Sequence, residues 1–212
     1  SPFISSPSLV DLLTRQGWGP VRMTAAVGLQ TELNGPGRAP SDVLDQWTRE
    51  GVRPGVVAIN LGVGYLDQCG SDPARCASAI SSLVGAVHRR WPDAKVWWAK
   101  VVHTDFWTSA PSAGMVNWNR ALDDAASRLG GRLVVWDWPA ALAASGIVTD
   151  LGNVHPASPT EYAKRSALLA AHLSTYMPAR YVGPRVTVPA ARPRALEYVP
   201  QRDANAGALP TA

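Results

Sequence analysis

Two rhythms alternate along the chain. Short, almost wholly apolar runs occur at Val21 to Val27, Val56 to Leu61, Lys95 to Val102 and Arg132 to Trp136, and such runs predict strands of a buried sheet. Between them lie longer stretches with apolar residues at helical spacing. Ser8 to Gln16 predicts a helix stopped by Gly17, and Ser41 is placed to cap a second one that passes through Val43, Leu44 and Trp47 to Gly51. Pro73 opens a third, in which Ile80, Leu83, Val84 and Val87 fall at i, i+3, i+4 and i+7 as one buried stripe. A fourth carries Trp118, Leu122, Ala125 and Leu129 and stops at Gly130 and Gly131; a fifth runs roughly from Pro159 to Tyr176. Strands alternating with helices predict an α/β domain built on a mostly parallel sheet.

The rhythm breaks near Arg180. Pro184, Pro189, Pro193, Pro200 and Pro210 recur too often for a helix or a central strand, and large apolar side chains thin out. The expected division is a folded domain over 1–178 and an extended Pro/Arg-rich arm over 179–212. Such an arm is expected to lie on the body or on a partner protein.

Composition narrows the class. A chain of 212 residues, 46% hydrophobic and 17% charged, suits one compact domain with an appendage. No apolar run approaches the roughly 20 residues of a membrane span, and no charged-then-apolar leader opens the chain, so it reads as soluble or already processed. Of the net charge of +4, most belongs to the arm, where five Arg face only Glu197 and Asp203. A nearly neutral body argues against nucleic acid as a partner, since duplex readers carry a dense basic face. The strong preference for Arg over Lys, together with abundant Ala, points to a GC-rich coding genome.

Cys69 and Cys76 are the two cysteines, separated by turn-forming Gly70, Ser71, Asp72 and Pro73. A small disulfide-closed loop is sterically easy there and implies an oxidising compartment; two unpaired thiols are the alternative. No His sits at ligand spacing from the pair, so no metal site is expected.

Three segments carry chemistry together. VRMTAAVGLQT ends a predicted strand at Gly28, VVAINLGVGYL runs from a strand into Gly62 and Gly64, and VTDLGNVHPASPTEYA sets Asp150 and His155 on a polar loop before a helix. In order and spacing they resemble the second, third and fifth sequence blocks of the SGNH (GDSL-type) hydrolases, over roughly residues 1 to 176. The match is to a secreted, actinobacterial-like member with degenerate motifs. That resemblance implies a three-layer α/β/α fold, flavodoxin-like, with a five-stranded sheet in the order 2-1-3-4-5.

It also implies roles. Ser1 falls where the nucleophile stands, with Ser5 and Ser6 as lesser candidates; His155 is the general base and Asp150 its orienting acid. Gly28, Gly62 and Gly64 fall in the oxyanion blocks. His103, Asp105 and Trp107, after a predicted strand, are placed to line a substrate pocket, with Trp107 able to stack on a sugar ring. His88 and His172 sit in predicted helices and read as structural. The implied activity is an esterase or acyl transferase acting on acylated carbohydrate or lipid at a cell surface, extracytoplasmic and without a cofactor.

The departures define the second expectation. Gly64 stands where the family carries an Asn donor, Gly152 stands three residues before His155 where it carries the Asp, and no strand precedes Ser1. A catalytically degenerate subunit with a structural or binding role in an extracellular or viral multi-chain assembly fits these. Its partner, or a precursor fragment, would contact the N-terminus and the arm, and RVTV at Arg185 to Val188 has the alternation to fill an empty strand position.

Overall fold

The computed structural model describes residues 7–24, 31–32, 34, 39–104, 111–150 and 155–176. The expected arm over 179–212, with its RVTV segment, lies outside the described residues. Among them, β1 (Val56–Ile59), β2 (Lys95–Ala99) and β3 (Leu133–Trp136) form a parallel sheet in the order β1-β2-β3, with Val56 opposite Lys95 and Val96 opposite Leu133. Seven α-helices are described: α1 (Leu9–Arg15), α2 (Pro40–Arg49), α3 (Leu66–Ser71), α4 (Pro73–Arg90), α5 (Ala113–Leu129), α6 (Trp138–Ser145) and α7 (Pro159–Ser174).

The layers follow from β2. Its residues Val96 to Ala99 are all buried, so the strand has no solvent face and shows no polar alternation. Successive side chains nevertheless point to opposite faces. Trp98 enters the core formed with Ile80, Leu83, Val84 and Val87 of α4 and Trp118 and Leu122 of α5. Trp97 enters the other core, with Leu9 and Leu13 of α1, Trp136 of β3 and Leu169, Ala170 and Leu173 of α7. One dipeptide thus anchors both helical layers. Truncating either indole to Ala costs about 3–5 kcal/mol.

The described sheet has three strands rather than five, and two expected boundaries move for identifiable reasons. Val21 to Thr24, the described part of the expected Val21–Val27 strand, pairs with no strand; instead Val21 and Met23 lie half-buried against the α1/α7 core. β2 stops at Ala99 instead of Val102 because the Asn119 side chain of α5 takes both backbone groups of Val101, accepting from its N–H at 3.0 Å and donating to its carbonyl at 2.9 Å. A residue so held has nothing left for a ladder. Ser41 does not cap α2: Pro40 is its first residue, and the Asp42 carboxylate accepts the Ala39 N–H at 3.1 Å.

Cys69 and Cys76 form a disulfide, and both are fully buried. It ties α3 to α4 across Asp72, whose carboxylate caps α4 through the Ala74 N–H. α3 also packs against α5 at its closest approach, where a Cβ placed on Gly114 would lie 2.0 Å from the Leu66 carbonyl oxygen. No described helix is long and apolar enough to cross a membrane.

His172 stacks on Trp136 with ring centroids 5.0 Å apart, flanked by Trp97 at 5.8 Å and Tyr176 at 5.3 Å. Its Nε2 is buried without a hydrogen bond among the described residues. Burial pushes the His172 imidazole below its ordinary range, and burial together with the Arg132 charge does the same to His88.

Two predictions follow from this packing. Gly114→Ala destabilises the fold by about 2 kcal/mol or more through overpacking against backbone. Gly85→Ala in α4, where the new methyl meets only the mobile end of Arg89 at 3.3 Å, stabilises by up to about 1 kcal/mol; urea midpoints of the two variants should move in opposite directions. The two histidines set a pH dependence. Their folded pKa values lie below the unfolded value of about 6.5, so the unfolded chain binds more protons, and the stability they contribute is complete above that pH and lost as pH falls through the folded values. Melting temperature should fall between pH 7 and pH 5, and less steeply in His172→Phe; an identical slope in that variant refutes the assignment.

Candidate active site

All three strands are parallel, so the loops following them emerge on one rim: Asn60 to Tyr65 after β1, Lys100 to Thr104 after β2, and Asp137 with Trp138 after β3. The α6–α7 connection reaches the same rim. Its residues Gly146, Ile147 and Thr149 line a groove with Val102 from the loop after β2.

That connection is folded onto itself. The Asp150 N–H donates to the His155 carbonyl at 2.8 Å, the Ala157 N–H to the Val148 carbonyl at 2.9 Å, and Thr149 forms an antiparallel bridge with Pro156. Within this frame Asp150 Oδ2 lies 2.8 Å from His155 Nδ1, and Asp150 Oδ1 accepts the His155 N–H at 3.2 Å. A carboxylate facing Nδ1 selects the tautomer that carries its proton there, which makes Nε2 the basic nitrogen. The His155 side chain is 63% exposed and that of Asp150 43%, so this is an accessible imidazole rather than a core one.

α7 holds the loop in place. Ser158 caps it through the Glu161 N–H at 3.3 Å, with Pro159 as first residue. The buried Glu161 carboxylate then reaches back, accepting the Val148 N–H at 2.9 Å and the Lys164 ammonium at 2.8 Å. Those two donors, Lys164 first, hold its pKa below the usual carboxylate value. Glu161 is the positioning residue that sequence reasoning missed. Its signal was present, since Ser158 and Glu161 match the Ser-x-x-Glu pattern that opens helices; here the Glu serves the neighbouring loop instead of the cap.

The other expected residues divide. Gly62, at φ +137°, lies against the Trp118 indole, where a Cβ would stand 2.6 Å from two ring atoms, and its carbonyl accepts the Tyr65 N–H at 2.9 Å. Gly64 is exposed, with nothing within 4 Å of an added Cβ. Beside it the buried Tyr65 donates its hydroxyl to Glu32 at 2.7 Å; burial first, and that hydrogen bond second, raise the Tyr65 pKa. His103 donates its N–H to Met115 Sδ at 3.1 Å, and its carbonyl accepts the Ser112 N–H at 3.2 Å. Its Nδ1 is buried without a hydrogen bond among the described residues. Ser1, Ser5, Ser6, Gly28, Asp105, Trp107 and Gly152 lie outside the described residues. Asp150 and His155 are thus the expected pair that the structure brings into contact. Among the described residues no three His, Cys, Asp or Glu side chains converge as metal ligands.

No family model matches the chain, and no curated protein matches it in sequence. Solved structures do match its fold. Est24, a carbohydrate acetylesterase from Sinorhizobium meliloti, superposes with a TM-score of 0.57 at 15% identity, over 79% of this chain and 84% of that one. The aryl esterase of M. smegmatis does so with a TM-score of 0.58 at 15% identity, over 82% and 86%. A carbohydrate esterase family 2 enzyme with a carbohydrate binding domain, from Corynascus thermopiles, gives a TM-score of 0.46 at 25% identity; this chain covers 38% of its length. The likeness at 15% identity is one of fold, shared with these two esterases.

The role of Glu161 is open to direct measurement. Glu161→Ala should speed amide exchange at Val148 at least tenfold and loosen the loop carrying Asp150, whereas Glu161→Gln, which keeps an acceptor, should stay near wild type. Unchanged exchange in Glu161→Ala contradicts a positioning role.

Proposed function

We propose that this chain is an SGNH-type serine esterase or acyl transferase that acts on acylated carbohydrate or lipid outside the cytoplasm. The observation carrying the reading is the 2.8 Å contact between Asp150 and His155 Nδ1, on an exposed rim loop of a fold shared with esterases. His155 Nε2 takes the proton of a hydroxyl supplied by the opening segment, Ser1 in the sequence reading, and the freed oxygen attacks the ester carbonyl. Asp150 steadies the imidazolium that forms. In the sequence reading the backbone N–H of Gly28 is assigned to the oxyanion, with Gly62 and Gly64 in the same blocks, and His103, Asp105 and Trp107 are assigned to the substrate. The imidazolium then gives its proton to the leaving alcohol, and water or a second alcohol releases the acyl group by the same steps in reverse.

The buried disulfide fits an extracytoplasmic setting. Gly64 favours a second reading. A position without a side chain offers no donor where the family pattern has Asn, which fits a degenerate SGNH subunit that binds a protein partner through its N-terminus and the arm over 179–212.

Turnover of p-nitrophenyl acetate and labelling of one Ser by a fluorophosphonate decide between them; a chain inert to both is the binding subunit. On the hydrolase reading, His155→Ala lowers kcat/KM by about 1000-fold or more and Asp150→Asn by about 100-fold or more, with melting temperatures unchanged. Gly64→Asn, at a position with open space around it, should raise the rate toward the roughly 100-fold that one oxyanion donor supplies.

A further inference from the structure

The groove beside the Asp150–His155 loop has a chemistry of its own. It is an open groove of about 360 Å³ between the chain after β2 and helix α6, lined by Val102, Pro139, Leu142, Ala143, Ile147 and Thr149, with Gly146 turning the chain at the end of α6. Ile147 is buried and forms the floor, Val102 and Leu142 are half-buried walls, and Ala143 is exposed at the mouth. Among the described residues no charged side chain lines it, and Thr149 brings the one side-chain hydroxyl. Thr149 is adjacent in sequence to Asp150 and bridged to Pro156, the neighbour of His155, so the polar end of the groove and the dyad loop are one piece of structure.

We propose that this groove is the acyl-chain site of the ester, giving the protein a preference for medium-length straight acyl groups over acetyl. The inference rests on the hydrolase reading and extends it to the substrate. A sugar ring is a poor occupant, because its hydroxyls would be stripped of water against a lining that, among the described residues, returns one hydrogen-bonding side chain. An alkyl chain loses nothing there and gains with length. A methylene fully buried is worth about fourfold in affinity, so even a groove half open to water yields tenfold or more over the six methylenes that separate octanoyl from acetyl. The carboxyl end is assigned to Thr149, the lining residue that belongs to the loop carrying His155. The chain then runs along α6 toward Leu142 and Ala143.

The test compares p-nitrophenyl octanoate and acetate on the full chain, with sodium octanoate binding measured by calorimetry alongside. The expected result is a kcat/KM ratio of octanoate to acetate of ten or more, falling at least tenfold in Ala143→Trp, which fills the mouth. The ratio should hold in Ala144→Trp, the next position on α6, which does not line the groove. Ala143→Glu, which places charge there without bulk, gives the same answer should the indole disturb the helix. Ester cleavage with a ratio indifferent to both Ala143 variants overturns the acyl site and leaves the hydrolase reading standing. Octanoate binding that survives His155→Ala and is lost in Ala143→Trp, without cleavage of any ester, keeps the groove and removes the hydrolase reading. Neither cleavage nor binding removes both.

Discussion

The structure depends on two adjacent indoles facing opposite ways. Trp97 and Trp98 are consecutive in the middle strand, and the pleat sends one into each core, so the helical layers are fastened to the sheet at one point along β2. Each is extended by further aromatics. Trp98 meets Trp118 edge-on at 5.8 Å and donates its indole N–H to the Leu61 carbonyl at 3.0 Å. Trp97 meets Trp136 at 5.5 Å, which stacks on His172 and meets Trp138 at 5.2 Å. Neither group could be exchanged for a smaller residue without emptying a core at its centre.

These aromatic chains end at the rim. The first reaches Leu61 and, through Trp118, the underside of Gly62, which fixes how the chain leaves β1. The second reaches Trp138, over whose ring the Arg165 guanidinium sits at 5.5 Å, so α6 and α7 are joined beneath the loop they share. The loop itself is then locked locally, by its own backbone hydrogen bonds and by Glu161. Burial anchors the ends, and polar contacts set the geometry between them.

What was legible in the sequence was what is local and periodic. The α4 stripe of Ile80, Leu83, Val84 and Val87 repeats with the helix, and all four residues are buried. α6 was invisible because WPAALAAS is apolar on every side and buries only Trp138, so it has no stripe to detect. α3 was missed because six residues containing a glycine leave no period at all. The end of β2 was misplaced because Val101 and Val102 are apolar, yet strand pairing there is taken away by Asn119, eighteen residues downstream. The candidate site divides in the same way. His155 before a proline and a capped helix could be read from residue types, whereas the approach of Asp150 from five residues away depends on backbone hydrogen bonds that spacing does not reveal. Glu161 carried a recognised helix-start pattern and used it for a purpose the pattern does not encode.

The seat of Gly114 on the Leu66 carbonyl constrains motion as well as packing. A helix pressed backbone to backbone has a single setting: sliding α5 by one residue would bring the side chain of Ala113 or Met115 to a place with room for a hydrogen atom. The head of α5, with Ser112 holding the carbonyl of His103, therefore cannot swing to meet an incoming molecule. Whatever accommodation a ligand requires at this rim must come from the connecting chain, against a floor that stays still.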